Sequence, residues 1–559
     1  MKTKRLLSLL LVLILLAALF SGCGSSASDS SEEDTETADS TSGETEASED
    51  ANTEDTTGLP EDYPLLCDDG SITLTVFTAD NTLLAGLMET YSDLYWWQEL
   101  SERTGVSFDW NMAASASAEE QFNLLIAADD LPNLVCTGNY YSDGISSAVE
   151  DEIFVDLSGY LADYAPDYLE VISQEDVYPA VTDENGSIIF FYEIGFEEYA
   201  PNSGVFLRGD LLEEQGLDVP VTYEEYEERL LALKTAYDIE APVYFEFESF
   251  SGSTDFGKWL SSGQYVQMSF SLDADGNCIY GPIEDGYREY LSIINRWYEE
   301  GLLYSDFYSI TDSLNNMLEY FDTGKSIMFS NYCEWMGMIS LDDEDGYLVP
   351  GYLPRVNEDD ELHLTDGIDK KVQTGTGYGI GPNSTEEEIQ TICMLMNWFY
   401  TEEGALFANY GVEGVTFEYD EDGNPWYTEL ITDNPDGLSL TQALFTYIGY
   451  KIPAHADYAK YNIVASTTYA EFVELWSSSV DNAWDMPQVS LTAEEQEDYS
   501  AVSTDVTTYL DETIVKFITG DMDVDDDSVW QEYLDTLDAL GVNTMIEIYS
   551  AALERYNSR

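Results

Sequence analysis

Alternation of polar and apolar residues marks the start of the folded part of the chain. Ser71–Phe77 alternates in this way, which predicts a half-buried β-strand. Leu94, Trp97 and Leu100 follow at helical spacing and share one face. Gly105 comes directly after this pattern and suits the end of a helix. The segment therefore predicts a strand followed by a helix.

The same rhythm repeats further along the chain. Ser107–Met112 is a second strand candidate, and Phe122, Leu125 and Ile126 predict a second helix. Leu134–Cys136 is then a short apolar run typical of a buried strand. Strands that alternate with helices in this order predict an α/β fold with a mainly parallel sheet.

Later segments add helices to this picture. Apolar residues three or four apart predict helices around Tyr287–Tyr298, Ile392–Phe399 and Val506–Phe517. The chain has 559 residues, and a single hydrophobic core rarely organises more than ~250–300 residues. We therefore expect two or three lobes.

The N-terminus has the pattern of an export signal. Lys2, Lys4 and Arg5 precede the uncharged run Leu6–Phe20, and a pair of small residues then leads to Cys23. A basic start, a short apolar core and small residues are typical of a cleaved signal peptide. The run has too few residues to span a bilayer comfortably.

The cysteine after the small pair resembles the lipobox of bacterial lipoproteins. In that family the cysteine is lipidated and becomes the new N-terminus, so the resemblance implies a lipid anchor at Cys23. Phe20 stands where lipoboxes usually have leucine. Gly24–Pro60 follows and is acidic, small and free of basic residues. Such a segment predicts a flexible tether, because it cannot bury enough apolar surface to fold.

The charge balance limits the possible partners. The chain has 19 Lys and Arg against 111 Asp and Glu, a net charge of −92. Nucleic acid and anionic lipid surfaces are excluded as natural partners, because both are bound through basic residues. Polyanionic ligands such as uronic-acid polymers are disfavoured for the same reason. We expect a neutral or cationic small-molecule ligand.

Signals of catalysis or of metal binding are sparse. The chain has only His363 and His455 as histidines, without metal-ligand spacing. Apart from Cys23 an odd number of cysteines remains, and no pair is spaced as in a zinc site or a redox motif. No G-x-S-x-G, H-E-x-x-H or P-loop motif occurs. We therefore predict no catalytic residues and no cofactor, although a glycosidase-like pair among the many carboxylates stays open.

A series of short phrases in a fixed order resembles a known family. These phrases are Glu102–Val106, Leu125–Asn133, Phe206–Pro220, Trp297–Tyr304, Phe321–Ser326, Tyr410–Gly414, Phe517–Gly520 and Ile548–Tyr556. The chain is similar to the extracellular solute-binding proteins of ABC transporters, family 1, in the large lipoprotein branch of Firmicutes. The phrases are spread along nearly all of residues 70–558.

The resemblance implies a fold and a division of the chain. The fold is the two-lobe, periplasmic-binding-protein-like α/β fold of type II, with ligand in the cleft between the lobes. The implied boundaries are a signal peptide at 1–22, an anchor and tether at 23–65, one lobe from 66–202 and 373–433, and another from 203–372 and 434–559.

Candidate ligand contacts follow from where loops meet such a cleft. Sugars need aromatic faces for their C–H surfaces and polar groups for their hydroxyls. The candidates are Asp80, Asn81, Tyr140, Tyr141, Glu334, Trp335, Tyr378 and Trp426. Arg208 is expected to support its lobe rather than to touch ligand.

Two patterns admit a structural and a functional interpretation. Gly375–Gly381 has glycine at every second position, so one face of a strand is bare and favours close packing at a hinge or contact with a ligand. Asp521, Asp523, Asp525 and Glu532 are spaced like calcium ligands, but Asp526 stands where the loop needs glycine. The favoured interpretation is an acidic N-cap on the helix that follows.

The sequence thus predicts a lipid-anchored, monomeric substrate-binding protein of an ABC importer, with an oligosaccharide or another neutral solute as ligand. Its partners would be ABC permease subunits at the outer face of the plasma membrane. The alternatives are a binding protein for peptides or other organic solutes, a surface adhesin or sensor subunit, and a secreted glycan hydrolase.

Overall fold

The fold was taken from a computed structural model of the 559-residue chain. The residues that the structure describes are 58–60, 62–136, 140–141, 144–195, 203–245, 247, 259–310, 319–321, 323–332, 346–364, 371–449, 451–457, 460, 472, 474–476, 481 and 483–559.

The strands are distributed over one larger and several smaller sheets. In chain order they are β1 Thr73–Ala79, β2 Ser107–Ala113, β3 Leu134–Val135, β4 Phe190–Gly195, β5 Ser203–Arg208, β6 Phe270–Leu272, β7 Cys278–Tyr280, β8 Met328–Tyr332, β9 Leu348–Pro350, β10 Val372–Ile380, β11 Phe417–Tyr419, β12 Pro425–Tyr427 and β13 His455–Ala456.

The helices include the predicted periodic segments. In chain order they are α1 Tyr95–Thr104, α2 Ala118–Ala128, α3 Gly144–Glu150, α4 Leu161–Tyr164, α5 Pro166–Ile172, α6 Tyr178–Val181, α7 Gly209–Gln215, α8 Tyr223–Tyr237, α9 Asp285–Glu299, α10 Glu386–Trp398, α11 Glu402–Tyr410, α12 Glu429–Thr432, α13 Leu440–Tyr447, α14 Ala493–Thr519, α15 Asp527–Leu540 and α16 Val542–Tyr556. The helices predicted around Tyr287, Ile392 and Val506 are confirmed as α9, α10 and α14.

The largest sheet has the order β13-β4-β10-β3-β1-β2. β1 is parallel to β2 and β3, and β13 is parallel to β4. β10 runs antiparallel to both of its neighbours, so the sheet is mixed at its centre. Every strand except β10 therefore ends at the same edge, which we call the carboxyl edge. Loops that leave this edge are where open α/β sheets place their ligand sites.

Gly105 shows how local sequence anchors this sheet. It ends α1 with a left-handed conformation, φ 70°, as the sequence predicts. A Cβ at this position would lie 1.7 Å from the carbonyl oxygen of Cys67. Glycine is required here both by the turn and by the close approach of a second chain segment.

The second lobe is built on a smaller antiparallel sheet with the order β8-β5-β9. A separate hairpin joins β6 to β7. Arg208 ends β5, is 6 % exposed, and donates from Nε to Oδ1 of Asp210 at 2.8 Å. Its guanidinium therefore holds the start of α7 within the lobe, as the sequence analysis expected.

Two separate hydrophobic cores define the lobes. The first core runs from Leu74 to Ile194 and resumes at Val372, and the second begins at Val205 and reaches Leu362. The second core also takes up the C-terminal helices α14 and α15 and the first turn of α16. The chain thus passes from one core to the other and back.

Residues of the first core are also found beyond the boundary predicted between residues 433 and 434. β13 pairs with β4, and Ile452 and Ala454 belong to the first core, so the first lobe continues to Ala456. Between the two, α11 to α13 and the β11–β12 hairpin form a small third cluster that includes Tyr410 and Leu444. The pairing of a two-residue strand such as β13 leaves no periodic signal in the sequence.

Within the part of the chain that the structure describes, no helix combines the length and the apolar character needed to cross a bilayer.

Candidate interlobe site

Hydrogen bonds tie the loops together at the carboxyl edge of the large sheet. Oδ1 of Asp80, which follows β1, accepts from the backbone N–H of Ser115 at 2.7 Å and from its hydroxyl at 2.6 Å. These bonds hold the pKa of Asp80 below its ordinary value, because they favour the charged form. Asp80 therefore fixes the loop after β2 against the loop after β1.

A buried ion pair lies at the same edge. Nζ of Lys460 is 3.3 Å from Oε1 of Glu193 and donates to Oδ1 of Asn409 at 3.0 Å. The Lys460 and Glu193 side chains are each 5 % exposed. Glu193 is on β4, opposite Gln373 of β10. The pair thus joins the lobe-crossing region after β13 to the centre of the sheet.

A crevice of about 490 Å³ opens beside this edge, between residues of the two cores. Tyr192 of β4 and Thr374 of β10 line it from the first lobe, and Gln267, Phe270 and Tyr549 line it from the second. This is the cleft position that the predicted fold class requires. Its volume is within the range of about 300–1,000 Å³ typical of small-molecule sites.

An extended segment, Asp485–Leu491, forms one wall of the crevice. It leaves the second lobe where Leu272 donates to the carbonyl of Trp484 at 2.8 Å. It then reaches the first lobe, where Nε2 of Gln488 donates to the carbonyl of Val372 at 3.1 Å. Ser490 donates to the carbonyl of Thr182 at 3.1 Å. The segment is therefore bonded to both lobes.

A stacked aromatic pair forms the second-lobe wall. The rings of Phe270 and Tyr549 lie 3.8 Å apart at 11°. Tyr499 packs against Tyr549 at 5.5 Å. Burial raises the pKa of Tyr549, so its hydroxyl is protonated at physiological pH and keeps its donor capacity. The wall offers flat apolar faces next to phenolic hydroxyls.

The lining combines apolar side chains with polar groups and carries one carboxylate. Gln267, Gln488 and Gln496 contribute amides, and Asp485 is the single ionisable carboxylate among the described lining residues. Within those residues the crevice has no Lys, Arg or His. Amides and hydroxyls bind neutral hydroxyl-rich ligands, whereas two opposed carboxylates would be needed for glycoside hydrolysis.

The predicted contact residues occupy other positions. Asn81 accepts from Leu83 at 3.0 Å and caps a short 3₁₀ helix. Tyr140 packs on Phe122 of the first core, with ring centroids 6.2 Å apart, and the Tyr141 hydroxyl lies 3.4 Å from Asp151.

The remaining candidates are equally dispersed. Tyr378 is 8 % exposed inside the first core, and Trp426 is 50 % exposed on the β11–β12 hairpin. Asp80, Asn81, Tyr140, Tyr141, Tyr378 and Trp426 are all absent from the lining of the crevice. Glu334, Trp335 and Cys23 lie outside the described residues. The ligand contacts and the lipidation at Cys23 all stay predictions.

Sequence reasoning missed the residues that form the crevice. Gln267 and Phe270 are in or next to β6, Gln488 is in a segment without periodicity, and Tyr549 is on the C-terminal helix. Among 41 tyrosines and 23 phenylalanines, nothing in the local pattern distinguishes Tyr549 or Phe270. The alternating Gly375–Gly381 run was the one signal near the crevice, since Thr374 precedes it.

The acidic loop before α15 is organised by arginine. Arg288 donates to the carbonyls of Val524 and Asp525, each at 2.9 Å, and to Oδ1 of Asp527 at 3.0 Å. Asp526 caps α15 by accepting from Ser528 at 2.8 Å. Asp526 is thus the N-cap of α15, and the Arg288 guanidinium bonds to three oxygens of this loop.

Comparison with known sequences gave no family assignment. No protein-family model matches the chain, and no curated protein sequence matches it.

Comparison with solved structures gave strong fold matches. The alginate-binding protein AlgQ2, solved without calcium ion, is 20 % identical with a TM-score of 0.72, over 88 % of this chain and 99 % of that one. The FusA ABC-transporter substrate-binding protein of S. pneumoniae, in complex with kestose, is 16 % identical with a TM-score of 0.69, over 87 % and 99 %. An HMO-binding, ABC-transporter-associated solute-binding protein from Bifidobacterium longum infantis is 16 % identical with a TM-score of 0.66, again over 87 % and 99 %.

These matches span nearly the whole of each neighbour. They show that the described body has the two-lobe fold of solute-binding proteins, as the sequence predicted. At such low identity they show the fold alone, and function depends on the chemistry of the site.

Proposed function

We propose that this chain is the substrate-binding component of an ABC importer and captures an uncharged oligosaccharide between its two lobes. The observation that carries the proposal is the interlobe crevice, lined by amides, hydroxyls and the Phe270–Tyr549 stack, with no cation among its described residues. Neutral sugars match this lining, because their C–H faces stack on aromatic rings while their hydroxyls bond to amides.

The fold neighbours support the ABC-transporter part of the proposal. FusA and the Bifidobacterium protein are both described as ABC-transporter solute- or substrate-binding proteins. Binding would close the lobes in a two-state shift driven by the higher affinity of the closed state. The Asp485–Leu491 segment, bonded to both lobes, would be rearranged by that motion.

A ligand panel tests the proposal. Neutral glycans, acidic alginate oligosaccharides, peptides and amines would be screened by thermal shift and then by calorimetry. We expect neutral oligosaccharides to raise the melting temperature, since ligand at 100 times Kd adds about 2.7 kcal/mol. Alginate fragments should have no effect, because the described lining offers acidic sugars no positive partner. Stabilisation by peptides or by alginate alone would contradict the proposal, and release of a shortened glycan would favour a hydrolase.

We also propose that the mature protein is anchored through a lipid on Cys23 at the outer face of the membrane. The support is the signal-like N-terminus and the acidic segment that follows it. Expression with an alkyne-labelled fatty acid in a Gram-positive host should label the wild type and not Cys23→Ser. Label on Cys23→Ser, or an uncut N-terminus in the cytosol, would contradict this proposal.

A further inference from the structure

A second cavity, of about 990 Å³, lies within the second lobe. The C-terminal half of α14, the β6–β7 hairpin and α16 surround it. We call it the second-lobe groove. Its aromatic lining consists of Phe247, Phe270, Tyr280, Tyr308, Tyr499 and Tyr549.

The groove adjoins the crevice. Ser269, Phe270 and Tyr549 line both cavities, so the stacked aromatic pair is their common wall. Either cavity alone would hold a drug-sized ligand of the kind that fills about 300–1,000 Å³. A ligand that uses both must be elongated and must pass over the Phe270–Tyr549 pair.

The groove has the chemistry of a sugar subsite. Tyr308 is 52 % exposed, so it presents an apolar face to solvent that a pyranose or furanose ring could cover. The described lining of the groove has three carboxylates, from Asp511, Glu512 and Asp521, and one cation, Lys516. Nζ of Lys516 is 3.8 Å from a carboxylate oxygen of Glu512. Carboxylates accept hydrogen bonds from hydroxyls and repel acidic sugars.

We propose that the second-lobe groove is a subsite for the outer units of an uncharged oligosaccharide whose other end lies in the interlobe crevice. This inference rests on the proposed function and deepens it, because it specifies a long ligand rather than a mono- or disaccharide. Because the two subsites meet at the aromatic wall, one oligosaccharide would occupy both, and the binding free energies of the two subsites would add. Affinity should therefore increase with the length of the oligosaccharide.

A length series with blocking variants tests the inference. Calorimetry would use fructo-, malto-, cello- and manno-oligosaccharides from disaccharide to hexasaccharide. Thr507 is exposed on α14 and lines the groove, so Thr507→Trp fills it without removing a core residue. Thr508 is the adjacent exposed residue on the same helix and is not among the lining residues, so Thr508→Trp is the matched control.

The expected result is specific to long chains. In the series that binds the wild type, the hexasaccharide should bind at least tenfold more tightly than the trisaccharide. Thr507→Trp should remove most of that gain and leave the trisaccharide unaffected, and Thr508→Trp should change neither. Tyr308→Ser should weaken only the long chains, and Tyr419→Ser, which changes a similarly exposed tyrosine on β11, should not.

The outcomes separate the two proposals. Equal affinity for short and long chains, or equal binding by Thr507→Trp and Thr508→Trp, would overturn the groove subsite while leaving the crevice intact. If no neutral series binds the wild type, the proposed function fails, and this inference fails with it. A length gain for acidic alginate fragments would overturn the charge argument for the groove.

Discussion

The two ends of β10 carry the same alternating glycine pattern and use it for different purposes. At the Gly381 end a Cβ would lie 2.1 Å from the carbonyl oxygen of Pro132, and at Gly379 it would lie 2.7 Å from Phe154. At the other end a Cβ on Gly375 meets nothing within 4 Å. One end is locked into the first core, and the other is open beside the crevice.

The register of the strand explains this difference. β10 pairs with β4 at Val372 and Gln373 and again at Tyr378 and Gly379, with an irregularity between them. The interruption frees residues on the crevice side from the ladder, while the core side remains paired with β3 as well. Alternating glycines therefore permit the close approach of another part of the protein, but they do not determine which part approaches.

The largest expected effect concerns the buried ion pair at the open end. Lys460→Met would leave the carboxylate of Glu193 buried without this cation, which should destabilise the first lobe by about 3–5 kcal/mol. Urea unfolding followed by tryptophan fluorescence would measure the change. The double variant Lys460→Met/Glu193→Leu should recover most of the loss.

An exposed cation provides the control for that result. Lys325 lies 3.9 Å from Glu319, with both side chains about half or more exposed. Lys325→Met should cost less than about 1 kcal/mol. If Lys460→Met lowered the free energy of unfolding by as little as Lys325→Met, contacts other than this ion pair would hold the open end of β10 in place.

The next prediction compares the effect of a methyl group at the two ends of β10. Gly381→Ala forces a methyl group against the Pro132 carbonyl and should destabilise by about 1–3 kcal/mol. Gly375→Ala should stay within about 0.5 kcal/mol of the wild type, because its side is open. Chemical denaturation of both variants measures the contrast, and equal losses would show that the two ends are packed alike.

A larger side chain at Gly375 should change ligand binding without changing the stability of the free protein. Gly375→Leu places an isobutyl group next to Thr374, which lines the crevice, and should weaken oligosaccharide binding about tenfold without changing the melting temperature of the free protein. Gly159→Leu, at another open glycine outside the crevice lining, is the matched control. Calorimetry with the best neutral oligosaccharide checks this, and unchanged affinity in Gly375→Leu would place the ligand elsewhere.

The smallest effect is a pH dependence at the neighbouring loops. The pKa of Asp80 is lowered by its hydrogen bonds to Ser115. A lowered folded-state pKa contributes stability at pH values above the ordinary pKa of aspartate, and this contribution is lost as the pH falls through the lowered value. The stability difference between wild type and Asp80→Ala should therefore shrink on acidification. A difference that grows in acid would contradict the assigned hydrogen bonds.

The sequence predicted the elements better than the site because the two depend on different kinds of information. The helix that became α14 follows from spacing along one segment, and so does the end of α1 at Gly105. The crevice instead joins Tyr192, Gln267 and Tyr549, which are far apart in the chain. No local pattern relates such residues.

The sequence by itself determined the strongly anionic character, the signal-like N-terminus, the α/β rhythm and the need for more than one core. These are properties of composition and of short-range periodicity, and they survive any arrangement of the elements. Only the tertiary structure decided that β13 returns to the first sheet, that Arg288 occupies the acidic loop, and that Phe270 stacks on Tyr549. The physical reason is that contacts between distant segments are selected by packing and register.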